Sequence, residues 1–563
     1  MSIRVTPGSE QIPLNIVGSS SFGDYPKISP EKTYNMFESD GFLVPFPGYH
    51  KVLELNPFAI EGRGLYRSFR GDRIIAVVDS QVYDIDTNLS ARLVGTINTL
   101  TGEVFMDENL QQQIAIVDGL NLWIYNYTLG TLTLQTGNPL SDGTLVPNYV
   151  SFHNTYFLIG NANMLGAGNN WFSYAYASPT TVTMHTEMSL ETKPDTAQAV
   201  VRIPGQASNV LVLGGSVAEV HTQIAGLNPT GGAQDYQRNN SISIDDGVLS
   251  VSTIAQNDEY IVWLGINEGN MPSINAMRGQ NVETISTDGI DFFFQGLSHP
   301  EQSTAMMYRL NGHLFYHLTF FNHEDNVTLI YDFNVKKFYH LSDQNLDHHP
   351  ARKMVFFNGN TQFNPALDNV PQNIFFISLN GGHIYQLSQE FTDINEDINS
   401  DLAAGTDPNL RYEMQRIRIC KNVRFPTSAP FKVNQLCFTI EQGLDNIDGI
   451  QDCLIYLVTE FNVRIFSEKV PGAPKSYVQL VPEFHGQEDC AARPYQGRID
   501  LAISKDGGET FSNYVPRYLN TLGNHKNILR WNKMGRVNDF VPKIRFWTLG
   551  RVVATDGYVE VTP

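Results

Sequence analysis

Residues 113–125 read Gln113-Ile114-Ala115-Ile116-Val117, a turn at Asp118-Gly119, then Leu122-Trp123-Ile124-Tyr125. Two short β-rich runs joined by an Asp/Gly turn describe an antiparallel hairpin, since Gly supplies the dihedrals a tight turn requires. The pattern recurs on both sides of this stretch. It begins at Arg73-Ile74-Ile75-Ala76-Val77-Val78, near Thr155 (Tyr156-Phe157-Leu158-Ile159-Gly160) and at Asn209-Val210-Leu211-Val212-Leu213. It returns at Glu259-Tyr260-Ile261-Val262-Trp263, at His313-Leu314-Phe315-Tyr316 and at Asn373-Ile374-Phe375-Phe376-Ile377. The starts fall at 73, 113, 155, 209, 259, 313 and 373. Repeats of about 40–50 residues, each worth about four strands, are the mark of propeller blades. A blade cannot bury both faces alone, so blades stack in a ring that covers the faces and leaves few free edges.

The expected fold is therefore all-β: a β-propeller of six or seven blades with a C-terminal β-sandwich-like domain. Residues 1–60, rich in Pro, aromatics and turns, read as an extended N-terminal arm, and 61–391 as the propeller. The acidic stretch Asp393-Ile394-Asn395-Glu396-Asp397-Ile398-Asn399-Ser400-Asp401 then reads as a surface linker. Strands resume with polar and apolar residues alternating, as in Arg416-Ile417-Arg418-Ile419 and Lys543-Ile544-Arg545-Phe546, so 392–563 is the second β domain.

Composition agrees with many short strands and tight turns. Of 563 residues, 17% are charged and 11% aromatic, with 45 Gly and 28 Pro. The net charge is −20, which argues against a dedicated DNA-binding protein with a basic face. There is no secretory apolar stretch at the start and no run long enough to span a membrane, so a soluble protein made in a cytoplasm is expected. The four cysteines, Cys420, Cys437, Cys453 and Cys490, have no metal-ligand spacing and read as buried free thiols.

Several motifs invite chemistry and have plainer explanations. Ser504-Lys505-Asp506-Gly507-Gly508-Glu509-Thr510-Phe511 fits the Asp-box pattern found in sialidase propellers. A carbohydrate-degrading propeller enzyme is therefore one alternative, but an Asp box is scaffold, and this single copy lies outside the repeats. The alternation from Asp393 to Asp401 suggests a calcium loop, yet Ile398 and Ala404 stand where an EF-hand has Gly and Glu. His348-His349 reads as a surface loop, and His313 and His317 as packing residues in strands. Arg530-Trp531-Asn532-Lys533-Met534-Gly535-Arg536 is basic and aromatic, and an interface strand is favoured over nucleic-acid contact. No nucleotide, zinc-protease or nucleophile-elbow motif occurs, so no catalytic residue, cofactor or metal is expected.

Other stretches carry a resemblance. Tyr34-Asn35-Met36, Gly41-Phe42-Leu43 and Phe46-Pro47-Gly48 open the chain, and Asn209 to Val220 places a strand, a Gly-Ser turn and a second strand containing Glu219. Asp258 to Leu264 with Asn270-Met271-Pro272-Ser273 follows, then Leu529 to Arg536 and Lys543 to Phe546. In that order they resemble the packaged-DNA stabilisation proteins of short-tailed bacteriophages, also called tail hub or nozzle proteins. Relative to that family's pattern the chain has extra sequence around 345–410 and 440–495.

The resemblance implies a virion protein of the phage tail, assembled in the host cytoplasm, with no catalytic residues to carry over. It implies a homo-hexameric ring below the portal and adaptor ring proteins that retains packaged DNA. Tail spikes or fibres and a tail needle would dock on it, and double-stranded DNA would leave through its channel without sequence-specific binding. A receptor-binding module at the tail tip is the second alternative.

Overall fold

The computed structural model describes residues 8–22, 31–137, 139–154, 156–162, 170–175, 184–224, 236–358, 373–389, 391–396, 411–424, 429–442, 455–458, 463–466, 497–519, 526–548 and 552–563. The chain divides into two compact units. One contains Val52–Asn326 and Pro350–Gln386; the other contains Met1–Lys51, Val327–His349 and Leu387–Pro563.

The first unit is a propeller. Its blades are antiparallel four-stranded sheets joined in sequence order, such as Phe105–Glu108, Gln113–Val117, Leu122–Asn126 and Thr131–Leu134. The second strands of the seven repeats begin at Arg73, Gln113, Tyr156, Asn209, Ile261, His313 and Ile374. These lie within two residues of the starts counted from the sequence.

Packing between blades explains why these strands are apolar throughout. In Gln113–Val117, Ile114 and Ile116 pack against Ile75, Val77 and Val82 of the preceding blade. The alternate residues Ala115 and Val117 pack against Val150, Phe152 and Phe157 of the following one. Strands of period two, covered on both faces, have no polar side to show. Equivalent clusters join the third blade to the fourth and the fourth to the fifth. The ring closes through the strand Tyr49–Arg67, which follows Asn380–Leu387 in one blade and precedes Arg73–Val78 in the next. Leu65, Ile74 and Ala76 accordingly pack with Phe375, Ile377 and Ile384. This one strand runs through residue 60, where the sequence reading separated arm from propeller.

Polar turns lock the hairpins. Asp118 Oδ1 accepts the amides of Leu120 (3.0 Å) and Asn121 (2.6 Å), and Gly119 takes φ +81°. Arg63, fully buried, donates to the carbonyls of Asp79, Thr99, Thr101 and Gly102 at 2.6–2.8 Å, tying together the links of the first two blades.

The second unit is a sandwich of two sheets. One runs Met36–Ser39, Phe42–Pro45, Val552–Thr562, Phe431–Gln442 and Lys526–Val537, with Glu10–Leu14 also on Val552–Thr562. The other contains Lys337–Leu341, Lys32–Tyr34, Arg416–Ile419, Val541–Trp547, Arg498–Ser504 and Val515–Tyr518. Leu436, Phe438, Ile440 and Val559 meet Ile499, Leu501, Ile544 and Phe546 in its core. Residues from the beginning of the chain are thus strands of the same sandwich as residues from its end.

Candidate functional site at the propeller axis

The first strand of each blade runs nearest the axis, so groups from distant blades meet there. Lys353 Nζ lies 2.5 Å from Glu103 Oε1 and donates to the carbonyls of Ala305 (3.0 Å) and Ser252 (3.3 Å). Thr304 donates to the other oxygen of Glu103 at 2.8 Å. One ammonium therefore ties together segments around 103, 252, 305 and 353, which only an axial position allows. Beside it Arg352 pairs with Glu61 at 2.6 Å.

A second group lies on the strands Phe105–Glu108, Pro147–His153 and Ala199–Arg202. Asp107 accepts the amides of Phe152 (2.6 Å) and Glu108 (2.9 Å) and the Tyr66 hydroxyl (3.2 Å). Burial pushes its carboxyl above the usual range, against these bonds and the nearby charge of Arg202. Glu108 is also raised by burial, and it accepts from the Phe69 amide and the Tyr127 hydroxyl, both at 2.7 Å. His153 Nε2 lies 3.0 Å from the Ala207 carbonyl and Nδ1 lies 2.9 Å from the Tyr236 hydroxyl. Since a carbonyl only accepts, Nε2 carries the proton and Nδ1 accepts from Tyr236. Burial lowers the His153 pKa, keeping the ring neutral.

These carboxylates and this imidazole have their bonding capacity committed to backbone and tyrosine partners. They hold strands in place, and none faces a nucleophile. A pocket of about 550 Å³ opens beside them, lined by Phe69, Leu110, Phe152, His153, Arg202 and Asp258 among others.

The residues singled out in the sequence lie elsewhere. The Asp box is a turn: Ser504 Oγ donates to Asp506 at 2.5 Å, and Asp506 accepts the amides of Glu509 (3.1 Å) and Thr510 (3.0 Å). Asp393 bonds His50 Nε2 at 2.8 Å, whereas Asp397 to Asp401 lie outside the described residues. Among the described residues no group of three metal-type side chains is assembled. Cys420 and Cys437 are buried free thiols, and Cys453 and Cys490 lie outside the described residues.

His317 is fully buried, with its pKa lowered to about 3 by burial, and His313 stacks on Phe315. The surface loop expected at His348-His349 needs correction. His349 is fully buried against the Tyr49 ring, and its amide donates to Thr328 Oγ1 at 2.9 Å. In Arg530–Arg536, Trp531 is buried, stacked on Phe438, and donates from Nε1 to the Val515 carbonyl, while Arg530 and Arg536 are exposed.

A profile of the family described as "Bacteriophage P22 Gp10, beta-propeller" matches residues 11–369. The chain belongs to this phage stabilisation family. The match spans most of the propeller and the N-terminal strands of the sandwich; the last blade strands, Ile374–Ser378 and Asn380–Leu387, and the basic stretch at 530–536 lie beyond it. No curated protein matches the chain.

Solved structures with similarity to this phage stabilisation protein include a streptogramin B lyase (11% identity, 60% of this chain and 97% of that one, TM-score 0.38). The virginiamycin B lyase of Staphylococcus aureus has 11% identity, 60% and 97% coverage and a TM-score of 0.39. The extracellular domain of a putative one component system of B. thetaiotaomicron has 10% identity and a TM-score of 0.37. The match to the latter covers 61% of this chain and spans 40% of that structure's length.

Family membership gives the opening motif a physical sense. Asn35, buried at φ +56°, donates from Nδ2 to Ser342 Oγ and the Gln415 carbonyl, both at 2.8 Å. Its Oδ1 accepts the Ser342 amide at 2.9 Å, and its own carbonyl accepts the Phe46 amide. A short amide in the left-handed region joins three segments of the sandwich, a role few other residues fill.

Proposed function

We propose that the protein is a structural component of the virion, a tail hub or nozzle subunit that forms a ring below the portal and its adaptor. The ring retains packaged DNA, forms the ejection channel and docks spikes or fibres and a tail needle. The observation that carries this reading is the phage stabilisation family match over residues 11–369. Asp107 and Glu108 support it, being bound to backbone amides and tyrosines. So do Glu103 and Glu61, which are held in ion pairs with Lys353 and Arg352. A propeller is a rigid body with its loops free for partner contacts, and a ring needs heterologous, closing interfaces. The net charge of −20 suits a channel from which DNA must slide freely.

The test is the mass of the purified protein in solution, alone and mixed with the phage's portal and adaptor assembly. Rings, either spontaneous or nucleated on the adaptor, are expected. A monomer that ignores the assembly would overturn the reading.

A further inference from the structure

The outer face of the second sheet of the sandwich gathers cations. In Val541–Trp547 the residues Ile544 and Phe546 belong to the core, so Lys543, Arg545 and Trp547 lie on the opposite face. Strand pairing fixes what stands beside them. Lys543 is opposite Ile419, which is opposite Lys32. Arg545 is opposite Asp500, and Trp547 is opposite Arg498. Two strand spacings put the backbones at Lys32 and Lys543 about 10 Å apart.

Aromatic rings hold these cations in place. The Tyr514 ring carries Arg545 at 4.1 Å and Lys543 at 6.0 Å, and the Trp547 ring carries Arg545 at 4.4 Å and Arg498 at 5.1 Å. Among the described residues Asp500 is the one carboxylate paired with any of the four cations, and Arg498 (3.0 Å) and Arg545 (2.7 Å) share it. Lys32 and Lys543 have neither an ion pair nor a hydrogen bond among the described residues. Burial lowers the pKa of both, Arg545 lowers that of Lys543 further, and no carboxylate raises either. Four cations against one carboxylate leave this face positive in a chain of net charge −20.

The counter-charge is in the same chain. The propeller unit, Val52–Asn326 with Pro350–Gln386, holds 28 of the 58 acidic residues and 12 of the 38 basic ones, so it carries −16 of the −20. Two copies repel in most orientations, and setting the cationic face of one on the propeller of the other offsets that repulsion. Such a contact joins two different surfaces, so it repeats from copy to copy, as a closing ring requires. Nucleic acid fits less well. The aromatic rings on which bases would stack already carry the chain's own cations, and the propeller repels a duplex. We propose that this face is one side of a contact between copies of the chain, with Lys32, Lys543, Arg545 and Arg498 of one copy on propeller carboxylates of the next. The inference rests on the ring reading above and names a surface for it.

The experiment mixes the full-length protein with a copy labelled in heavy nitrogen, alone and on the phage's portal and adaptor assembly. A carbodiimide then joins each ammonium to a carboxylate it touches. Mixed-isotope peptides linking Lys32 or Lys543 to a carboxylate of the propeller unit are expected. Lys32→Glu combined with Lys543→Glu is expected to weaken association by at least about tenfold at an unchanged melting temperature. Lys526→Glu, on the other sheet, is expected to leave it alone. If the double variant is unstable, the two Lys→Gln changes replace it, with a severalfold loss expected. Rings in which neither lysine is linked between copies, or which the double variant forms as strongly, would overturn this contact and leave the ring reading standing. No association under either condition would sink both. Capture of a short DNA duplex in preference to a second copy, abolished in the double variant, would give the face a different occupant and overturn the proposal.

Discussion

Lys353 and Glu103 meet at the propeller axis with Nζ 2.5 Å from Oε1, 250 positions apart in the sequence. Glu103 is nearly inaccessible and Lys353 is covered over most of its length, its ammonium also lying over the Phe105 ring. Removing one partner of such a pair leaves the other buried and unpaired, which typically costs about 3–5 kcal/mol. Lys353→Met and Glu103→Leu are each expected to lower propeller stability by that order, measured by denaturant unfolding. The double variant should recover much of the loss, because it buries no orphan charge. Single variants within about 0.5 kcal/mol of the parent, the scale of ordinary surface substitutions, would show that the axis does not depend on this pair.

Glu219 makes a pH prediction for the same unit. Burial opposes its ionisation, yet bonds from His221 (3.1 Å), the Thr192 side chain and amide (2.5 Å each) and the Glu191 amide (2.9 Å) bring it down to about 2. The folded value lies below the ordinary 4.5, so its contribution is complete above that pH and is lost as pH falls through about 2. Unfolding midpoints of the parent and Glu219→Gln should differ most at neutral pH and converge between those two values. A difference independent of pH would mean that the carboxylate charge is not what the network holds.

His340 makes the corresponding prediction for the sandwich. Its Nδ1 lies 2.7 Å from Ser20 Oγ, its ring packs on Phe22 and Tyr34, and burial lowers its pKa to about 3. The neutral ring is favoured in the fold, so its contribution is intact above the ordinary 6.5 and declines as pH falls toward 3. The slope approaches about 1.4 kcal/mol per pH unit for one such group. Hydrogen exchange should show residues 16–22 and 31–35 losing protection over this range, and His340→Gln should flatten the response. Protection that stays constant down to pH 4 would contradict it.

The contrast between these sites shows what the sequence discloses. The second strand of every blade was legible because both its faces are covered by neighbouring blades, so its apolar run stands out locally. Glu219 entered the sequence reading only as the acid of the second strand in Asn209 to Val220, and nothing local in the sequence showed its burial or its partners. The axial network was not legible: Lys353 and Glu103 each sit in unremarkable surroundings, and only ring closure brings them together. A signal did exist in Arg352-Lys353, two cations opening the first strand of a blade. The sandwich hid a similar relation, since Glu10–Leu14 pairs with Gly557–Val561 and local periodicity says nothing about so distant a partner. His349 was misjudged because a His-His-Pro turn looks solvent-facing, whereas Tyr49 covers it.

Arg418 closes that long-range relation and supplies the last prediction. It is fully buried and donates to the carbonyls of Ile16 (2.9 Å), Ser19 (2.8 Å) and Asn15 (3.2 Å), while pairing with Glu31. The planar guanidinium reaches all of these at once; an ammonium, with three donors around one point, cannot. Arg418→Lys should therefore keep a charge yet release the segment 15–19, and Arg418→Met should do so while leaving Glu31 unpaired. Both are expected to cost about 2–5 kcal/mol in the sandwich and to expose residues 8–22 to limited proteolysis. The propeller transition should not move. If Arg418→Lys protects the N-terminal segment as well as the parent does, the segment is held by the pairing of Glu10–Leu14 with the final strand, and the guanidinium is dispensable.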